Sequence, residues 1–283
     1  MKPRPTGDGD QEVLLVGQIA GLVSVFAFLV YLRHNQILLY GDAIAHINIA
    51  RRVFDSRTPG LLQLGTVWLP LPHLLMVPFL LSDWLWQTGI GGSVPSMISY
   101  VLGVIGIFRL VRDALSKESK MGARIAAWGA AVIFGANPNL IYMQATAMTE
   151  SLYLALFVWA FVYFSEFARS LPEATNKPAL LKCGLCLAAA SLTRYDGWFL
   201  IGIFFLAALV LILRSGNFRT FKVGFAQFTL ILAAMPILWL GYNAAVYRNA
   251  LEFANGPYSA KAIEKKTAIP GFPPHPGTND LPV

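Results

Sequence analysis

The sequence predicts an all-α protein, a polytopic bundle of about seven transmembrane helices with amphipathic juxtamembrane helices in the first outer loop. Of its 283 residues, 56% are hydrophobic and 13% are charged, whereas about 25% of residues are charged in a soluble domain. The mean hydropathy is +0.56. Apolar runs near the ~20 residues needed to cross a bilayer recur along the chain.

Seven apolar runs are predicted to be spans, at residues 13–33, 94–111, 125–143, 149–168, 179–193, 197–213 and 223–247. The first run is too long for a signal-peptide core and lacks a following small-residue cleavage pattern, so we expect it to be uncleaved. Trp68–Leu81 is a further apolar patch, but it is only 14 residues long and contains three prolines. Such a segment is typical of a re-entrant or interfacial element.

The distribution of charge predicts the orientation. Suppose that the N-terminus is cytoplasmic and that Trp68–Leu81 does not cross the membrane. The short outer loops near 144–150 and 194–197 then carry a single Lys or Arg residue, Arg194. The short cytoplasmic loops then hold eleven cations: Arg109, Arg112, Lys117, Lys120, Arg124, Arg169, Lys177, Lys182, Arg214, Arg219 and Lys222. The positive-inside rule favours this arrangement, so the net charge of +7 is mainly an insertion signal and does not indicate a nucleic-acid partner.

These predictions divide the chain into three parts. Residues 1–12 form a polar cytoplasmic tail without regular structure, and 13–247 form the transmembrane module with its first outer loop at 34–93. Residues 248–283 form an outer Pro/Gly-rich tail that is typical of a linker to a further part. The protein is expected to be an integral, multi-pass protein of the plasma or inner membrane whose active face lies outside.

This topology collects unusual polar residues on the outer side. Asp42 and His46 share one face of a predicted amphipathic helix, and Glu150 begins the fourth span, where a carboxylate is costly unless it faces a polar cavity. Arg194 and Asp196 stand between the fifth and sixth spans. We therefore expect a water-accessible site at the outer leaflet, with Arg194 or Arg52 binding the phosphate of a lipid-linked anion.

Each of these residues also has a purely structural interpretation. Asp42 could cap its helix, with His46 a merely interfacial residue, and Glu150 could complement the helix dipole with Thr149 as its cap. Arg194 could pair only with Asp196, and two neighbouring aromatic residues, Tyr195 and Trp198, suit an interfacial belt. The chain has no Walker loop, dinucleotide-binding motif, zinc-protease motif or nucleophile elbow. Energy for a reaction would therefore have to come with the substrate.

The order of these segments resembles the GT-C superfamily of polytopic glycosyltransferases, which includes protein O-mannosyltransferases and the aminoarabinose transferases of lipid A. Tyr40-Gly41-Asp42 is similar to the segment with an essential aspartate after the first span. Trp68–His73 resembles a proline-rich juxtamembrane segment, Met148-Thr149-Glu150 an acidic position before span four, and Thr193–Gly197 a segment common in bacterial members. The chain departs from the pattern at Ala43, where many relatives carry a second acidic residue, and relatives are usually longer.

The resemblance implies a donor, an acceptor and roles for residues. The donor would be a polyprenyl-phosphate sugar, the acceptor a protein, lipid or glycan, and the surroundings membrane lipids. Asp42 would act as the base of an inverting displacement, and Glu150 would orient the acceptor. Substrate-binding residues would be His46, His73, Arg52, Arg194 and Asp196. The sequence requires no cofactor, but some members use a divalent cation, for which Asp42 and Glu150 would be the ligands.

Two other classes of function stay open from the sequence. A transporter or flippase of a lipid-linked or anionic solute would carry ionisable residues at mid-membrane, often with internal repeats, whereas the charges here stand at span ends. A non-catalytic membrane assembly subunit would not need the outer carboxylates. Replacing Asp42 and Glu150 by amides discriminates between these hypotheses and the transferase.

Overall fold

The computed structural model describes residues 8–116, 119–172 and 177–268, and these ranges contain helices and no strand. The helices, in chain order, are α1 Asp8–Arg33, α2 Gly41–Arg52, α3 Pro70–Met76, α4 Asp83–Gln87, α5 Ile90–Ala114, α6 Lys120–Gly135, α7 Pro138–Gln144, α8 Glu150–Ser170, α9 Lys177–Ser191, α10 Asp196–Arg214, α11 Phe218–Tyr247, α12 Glu252–Asn255 and α13 Ala260–Thr267. Two 3₁₀ turns lie at Leu61–Leu64 and Val77–Phe79. The predicted all-α class is confirmed.

Five helices are long and apolar enough to cross a membrane: α1, α5, α8, α10 and α11. Their outer surfaces expose large apolar side chains, including those of Phe26, Leu102, Phe199, Ile203 and Leu230. A soluble protein rarely exposes contiguous apolar surface of this kind, whereas lipid tails solvate it. The chain is therefore a multi-pass helical membrane protein.

The bundle is built around two central helices. α5 packs against α1, α6 and α8, and α9 packs against α8, α10 and α11. The first set encloses an apolar core that includes Tyr100, Phe108 and Ala127. The second encloses a core that includes Phe167 and Phe228. α8 belongs to both sets and joins the two halves.

The third predicted span is a bent pair of helices. α6 and α7 meet at an angle of 63° across a short break, so the expectation of one helix at 125–143 is wrong. Asn137 caps the second helix, because its Oδ1 accepts a hydrogen bond of 3.1 Å from the backbone N–H of Leu140. Pro138 occupies the first helical turn, where its missing N–H costs nothing. The Asn-Pro pair therefore ends one helix and starts the next.

The fifth predicted span corresponds to α9, which has 15 residues. At 1.5 Å per residue it is about 22 Å long, short of the ~30 Å hydrocarbon core. Its side chains Leu180, Cys183 and Leu187 are nonetheless buried in the core shared with α8, α10 and α11. α9 is thus an integral part of the bundle.

The predicted first loop contains short helices that pack on the protein. α2 buries one side, including Ala43, Ile47 and Ala50, against α3, the first 3₁₀ turn and the start of α5. Trp68–Leu81 contains α3 and a 3₁₀ turn, and this apolar stretch is not one of the five long helices. The amphipathic helix expected after the first span is confirmed, and its apolar side contacts protein.

Arg51 anchors this loop. Its guanidinium donates to Asp55 Oδ2 at 2.7 Å, to the Leu80 carbonyl at 2.7 Å and to Asp83 Oδ1 at 2.5 Å. Two aromatic rings flank it, those of Phe54 and Trp86. One side chain therefore ties the end of α2 to the turn before α4.

The two chain ends differ from the sequence prediction. Asp8–Glu12 belongs to α1, so the tail predicted at 1–12 is helical from Asp8 onward, and Glu12 forms an ion pair with Arg124 of α6. Residues 1–7 lie outside the described ranges. Part of the predicted tail 248–283 forms α12 and α13, and its Pro/Gly-rich stretch at 270–277 lies outside the described ranges.

Close packing of α2 on α5 depends on Gly92. A methyl group there would lie 2.5 Å from Ile47 Cγ1 and 2.8 Å from Ala147 Cβ. We expect Gly92→Ala to destabilise the detergent-solubilised protein by about 1–3 kcal/mol, as overpacking does, and to lower its thermal unfolding midpoint.

The matched control is Gly21→Ala in α1, where nothing lies within 4 Å of the added methyl group. Alanine favours a helix over glycine by about 1 kcal/mol, so this variant should unfold at the same or a higher temperature. Equal thermal unfolding midpoints for the two variants would show that α2 does not pack closely against α5 at Gly92.

Candidate functional site

Five of the seven predicted site residues line one cavity of about 700 Å³: Asp42, His46, Glu150, Arg194 and Asp196. The cavity lies where α2, α8 and α10 begin and α9 ends, and the segments before α3 and around α12 and α13 complete it. A smaller apolar groove of about 200 Å³ lies between α1, α5 and α6 and is lined by no carboxylate, histidine or arginine. A third cavity of about 590 Å³, at the end of α5, is lined by Glu12, Asp113 and Arg124. The cavity of about 700 Å³ is the candidate for acid–base chemistry because it holds both predicted catalytic residues, Asp42 and Glu150.

Arg194 bridges two of the cavity carboxylates. Its Nη1 donates to Glu150 Oε1 at 2.9 Å, and its Nε donates to Asp196 Oδ2 at 3.1 Å. The structural alternative that Arg194 pairs only with Asp196 is wrong. Glu150 Oε2 is buried and has no hydrogen-bond partner within the described ranges. With three carboxylates facing one arginine, the cavity has acceptor groups left over for a ligand.

The helix starts explain why carboxylates stand at these positions. Glu150 and Asp196 are the first residues of α8 and α10, where the partial positive charge of the helix N-terminus favours an anion. Thr149 occupies the N-cap of α8 but makes no side-chain capping hydrogen bond. The predicted N-cap position of Thr149 is confirmed, but its side chain does not satisfy a backbone N–H of the first turn. The ion pair of Glu150 is with Arg194.

Asp42 is the most accessible of the predicted catalytic residues. Tyr40 occupies the N-cap of α2, and Asp42 lies in the first helical turn, so the alternative in which Asp42 is the cap is wrong. Its side chain is exposed and makes no hydrogen bond or ion pair with another described residue. Asp42 is close enough to His46 for its charge to raise the pKa of that histidine. A carboxylate in this state can accept a proton.

Two histidines form a buried pair behind the cavity wall. His46 Nδ1 and His73 Nε2 are 2.8 Å apart, and the two side chains are 2% and 0% exposed. Burial lowers the pKa of His46 to about 4, against the opposing effect of Asp42. Burial, the neighbouring His46 and Arg52 lower the pKa of His73 to about 3. Both rings are therefore neutral at pH 7.

Two predicted site residues do not line the cavity. His73 is absent from the cavity lining and hydrogen-bonds with His46, which does line it. The Arg52 side chain is exposed at the end of α2, near His73 but outside the cavity lining. Sequence spacing predicted that both residues lie near the site. It could not distinguish residues that line the cavity from residues that lie behind or beside it.

The cavity also has an aromatic wall that sequence analysis missed. Trp68, Tyr195, Trp198 and Phe253 line it, and the Tyr195 and Phe253 rings stack with centroids 4.6 Å apart. Sequence analysis assigned Tyr195 and Trp198 to an interfacial belt. Phe253 belongs to the segment after α11, and no pattern in the sequence indicated that this segment folds back onto the site.

Tyr195 connects this wall to α11 and to the first loop. Its hydroxyl donates to the Thr66 carbonyl at 3.3 Å and accepts from Trp239 Nε1 at 3.1 Å, and burial raises the pKa of Tyr195, so it stays a phenol. Thr66 Oγ1 also donates to Asn243 Oδ1 of α11. Asn243, a fully buried amide in an apolar span, is the signal that could have located this contact.

The described ranges contain no group of three or more His, Cys, Asp or Glu side chains arranged to hold a metal ion. Metal binding by Asp42 and Glu150 therefore stays a prediction.

No protein-family model matches the chain, and no curated protein and no solved structure is significantly similar to it. The resemblance to the GT-C superfamily therefore stays a prediction from the sequence.

The buried histidine pair predicts how stability depends on pH. In the unfolded chain both histidines take up protons near pH 6.5, whereas in the folded protein they do so only near pH 4 and pH 3. The folded-state pKa values are lowered, so the stabilisation is complete above pH 6.5 and is lost as the pH falls. We expect the free energy of unfolding to fall by about 1.4 kcal/mol per pH unit for each histidine below pH 6.

Thermal unfolding of the detergent-solubilised protein between pH 8 and pH 4.5 measures this slope. The double variant His46→Gln/His73→Gln should show a clearly shallower decline, while His34→Gln, outside the pair, should retain the parental slope. A double variant with the parental slope would refute the assignment.

Proposed function

We propose that the protein is a membrane glycosyltransferase, which moves a sugar from a polyprenyl-phosphate donor to an acceptor at the outer face of the membrane. The observation that carries the proposal is that Asp42, Glu150 and Arg194 line one cavity of about 700 Å³. These residues lie more than 40 positions apart in sequence, yet they supply the base, the acceptor-binding group and the cation that this reaction needs.

The lining of the cavity suits a sugar. Aromatic side chains in the lining, such as Trp68 and Trp198, offer apolar surface to the C–H bonds of a pyranose ring, and carboxylates accept hydrogen bonds from its hydroxyl groups. Glu150 Oε2 is buried without a partner among the described residues, and an unpaired buried acceptor is costly. A rotation of the Glu150 side chain that turns this oxygen toward a ligand hydroxyl in the cavity would remove that cost.

The mechanism is a single displacement. Asp42 takes the proton from the acceptor hydroxyl while the acceptor oxygen forms a bond to the anomeric carbon. The bond between that carbon and the phosphate oxygen breaks, polyprenyl phosphate leaves with the bonding electrons, and the anomeric configuration inverts because no enzymic nucleophile intervenes. The products are the glycosylated acceptor, a protonated Asp42 and polyprenyl phosphate.

Arg194 stabilises the leaving phosphate. Its Nη1 and Nε serve Glu150 and Asp196, which leaves the two N–H groups of Nη2 for a phosphate oxygen. The two carboxylates hold the guanidinium plane in place, so little side-chain freedom is lost when phosphate binds. Charge that develops on the leaving group then meets a donor that is already oriented.

The proposal includes a topology of seven spans with a cytoplasmic N-terminus. The bent pair α6–α7 counts as one crossing and the short α9 as another, in addition to the five long helices. Successive crossings then alternate in direction, so the segments containing Asp42, Glu150 and Arg194 share the outer side. The eleven loop cations lie on the cytoplasmic side, as the positive-inside rule requires.

We expect Asp42→Asn to reduce transfer at least about 100-fold, since a general base contributes roughly 10²–10⁴ in rate. The assay supplies a panel of polyprenyl-phosphate monosaccharides to proteoliposomes and measures the release of polyprenyl phosphate. Asp10→Asn is the matched control, because Asp10 is an exposed carboxylate in the first turns of α1, outside the cavity. Retained turnover in folded Asp42→Asn would remove Asp42 as the base.

Cysteine accessibility tests the topology. In a background without Cys183 and Cys186, single cysteines at Ser116 and Asn217 should react with a membrane-impermeant maleimide only from the cytoplasmic side. A cysteine at Tyr258, which is 70% exposed, should react only from outside. Labelling of Asn217→Cys and Tyr258→Cys from the same side would contradict the seven-span topology.

A further inference from the structure

The third cavity lies at the other end of the bundle from the candidate site, where α1 and α6 begin and α5 ends. α8 connects the two ends. Glu150 at its start lines the candidate site, and Arg169 near its end contacts Asp113, which lines the third cavity. At 1.5 Å per residue the helix rises about 28 Å between Glu150 and Arg169. The two cavities are therefore separate sites.

Charged side chains line much of the third cavity. Three cations, Arg112, Lys120 and Arg124, face two carboxylates, Glu12 and Asp113, so the described lining has a net charge of +1. Lys120 is exposed at the start of α6 and makes no hydrogen bond or ion pair with another described residue. Its ammonium group can therefore bind an anion without losing a partner in the protein.

Both carboxylates of the third cavity already have cationic partners. Glu12 forms an ion pair with Arg124, and Asp113 Oδ1 lies 3.5 Å from Arg112 Nε. From the neighbouring α8, Arg169 donates to the Asp113 carbonyl at 2.5 Å, and its Nη2 lies 3.8 Å from Asp113 Oδ2. The charge left over in the lining is thus positive, which favours an anionic ligand.

The apolar groove of about 200 Å³ continues from this cavity between the same three helices, α1, α5 and α6. Its lining includes Val16, Ile19 and Val23 of α1 and Trp128, Val132 and Gly135 of α6. The α1 residues follow Glu12 at helical spacing, and the α6 residues follow Arg124 in the same way, so each set shares a helix face with a charged residue of the cavity. The groove therefore begins one helical turn from the Glu12–Arg124 ion pair.

The groove is suited to a hydrocarbon chain. α1 and α6 each pack against α5, and the α5 side chains Tyr100 and Val104 line the groove between them. The hydroxyl of Tyr100 donates to the Gly135 carbonyl at 2.7 Å, so this polar group needs no partner from a ligand. Within a bilayer, an apolar groove of this kind is filled by a lipid tail rather than by water.

We propose that the third cavity and the groove together bind one anionic phospholipid, whose phosphodiester lies beside Lys120 and whose acyl chain occupies the groove. A headgroup with a single negative charge, such as that of phosphatidylglycerol, neutralises the net charge of +1 in the lining. A zwitterionic headgroup would add an ammonium group to a cavity whose carboxylates already have partners.

This site does not depend on the proposed transferase activity. In the proposed topology it faces the cytoplasmic leaflet, where basic pockets between membrane helices bind anionic headgroups. A lipid held there contacts α1, α5 and α6 at once, and it therefore joins the first helix to the rest of the bundle.

Native mass spectrometry of the detergent-solubilised protein tests the headgroup, with phosphatidylglycerol and phosphatidylcholine as probes. We expect phosphatidylglycerol to bind about fivefold more tightly, which is the contribution of one basic residue, and Lys120→Gln to abolish this preference. The matched control is Lys222→Gln, because Lys222 is an exposed lysine near the start of α11, outside the cavity lining. No preference in the parent, or a preference kept in Lys120→Gln, would overturn the proposal.

Two tryptophan variants of α1 test the groove. Val23 lines it and Val25 does not, and the two side chains are 38% and 50% exposed. We expect Val23→Trp to weaken phosphatidylglycerol binding at least about fivefold, since displacing one or two methylene groups accounts for that factor, and Val25→Trp to leave it unchanged. Val132→Trp, which fills the groove from α6, should act like Val23→Trp. Parental binding in both groove variants would reject the groove as the site of the acyl chain.

A competition experiment distinguishes a lipid from a free phosphate. Glycerophosphoglycerol, the soluble headgroup without acyl chains, should not displace phosphatidylglycerol when the two are present at equal concentration. Displacement under these conditions would show that the cavity recognises phosphate alone, and it would overturn the assignment to a lipid.

Discussion

The ion pairs of Arg194 are the interaction on which the site depends. One guanidinium joins Glu150 and Asp196, the first residues of α8 and α10, although the two helices are separated in sequence by α9. Three carboxylates in a cavity beside hydrocarbon would repel one another without a cation. Because Arg194 lies between Glu150 and Asp196, the starts of α8 and α10 can lie close together, and the cavity can carry acceptors for a ligand.

The first loop has to deliver Asp42 to the same cavity, and packing accounts for its position. Gly92 lets α2 lie against α5, Arg51 fixes the far end of α2, and Tyr195 holds the Thr66 carbonyl from the opposite side. Each of these contacts joins segments that are distant in sequence. The result is a loop whose Asp42 is held by the bundle, as the proposed displacement reaction requires of its base.

Much of this arrangement could be predicted from the sequence, for a physical reason. Apolar runs mark the helices, and loop charges predict which ends lie together, so Asp42, Glu150 and Arg194 were expected to meet. The bend at Pro138, the position of His73 behind the cavity wall and the return of Phe253 were not predicted. They depend on packing between distant segments, which neither hydropathy nor spacing encodes. For the same reason, Arg52 was predicted to bind substrate although its side chain is exposed outside the cavity.

The central claim is that this cavity binds the sugar of a lipid-linked donor. Photo-crosslinking tests it most directly, with a polyprenyl-phosphate sugar that carries a diazirine on the sugar ring and with peptide mapping by mass spectrometry. We expect crosslinks in the peptides that contain Trp68, Glu150 and Tyr195, all of which should disappear when unmodified donor is added in excess. Crosslinks confined to the opposite end of the bundle, around Asp113 and Lys120, would contradict the account.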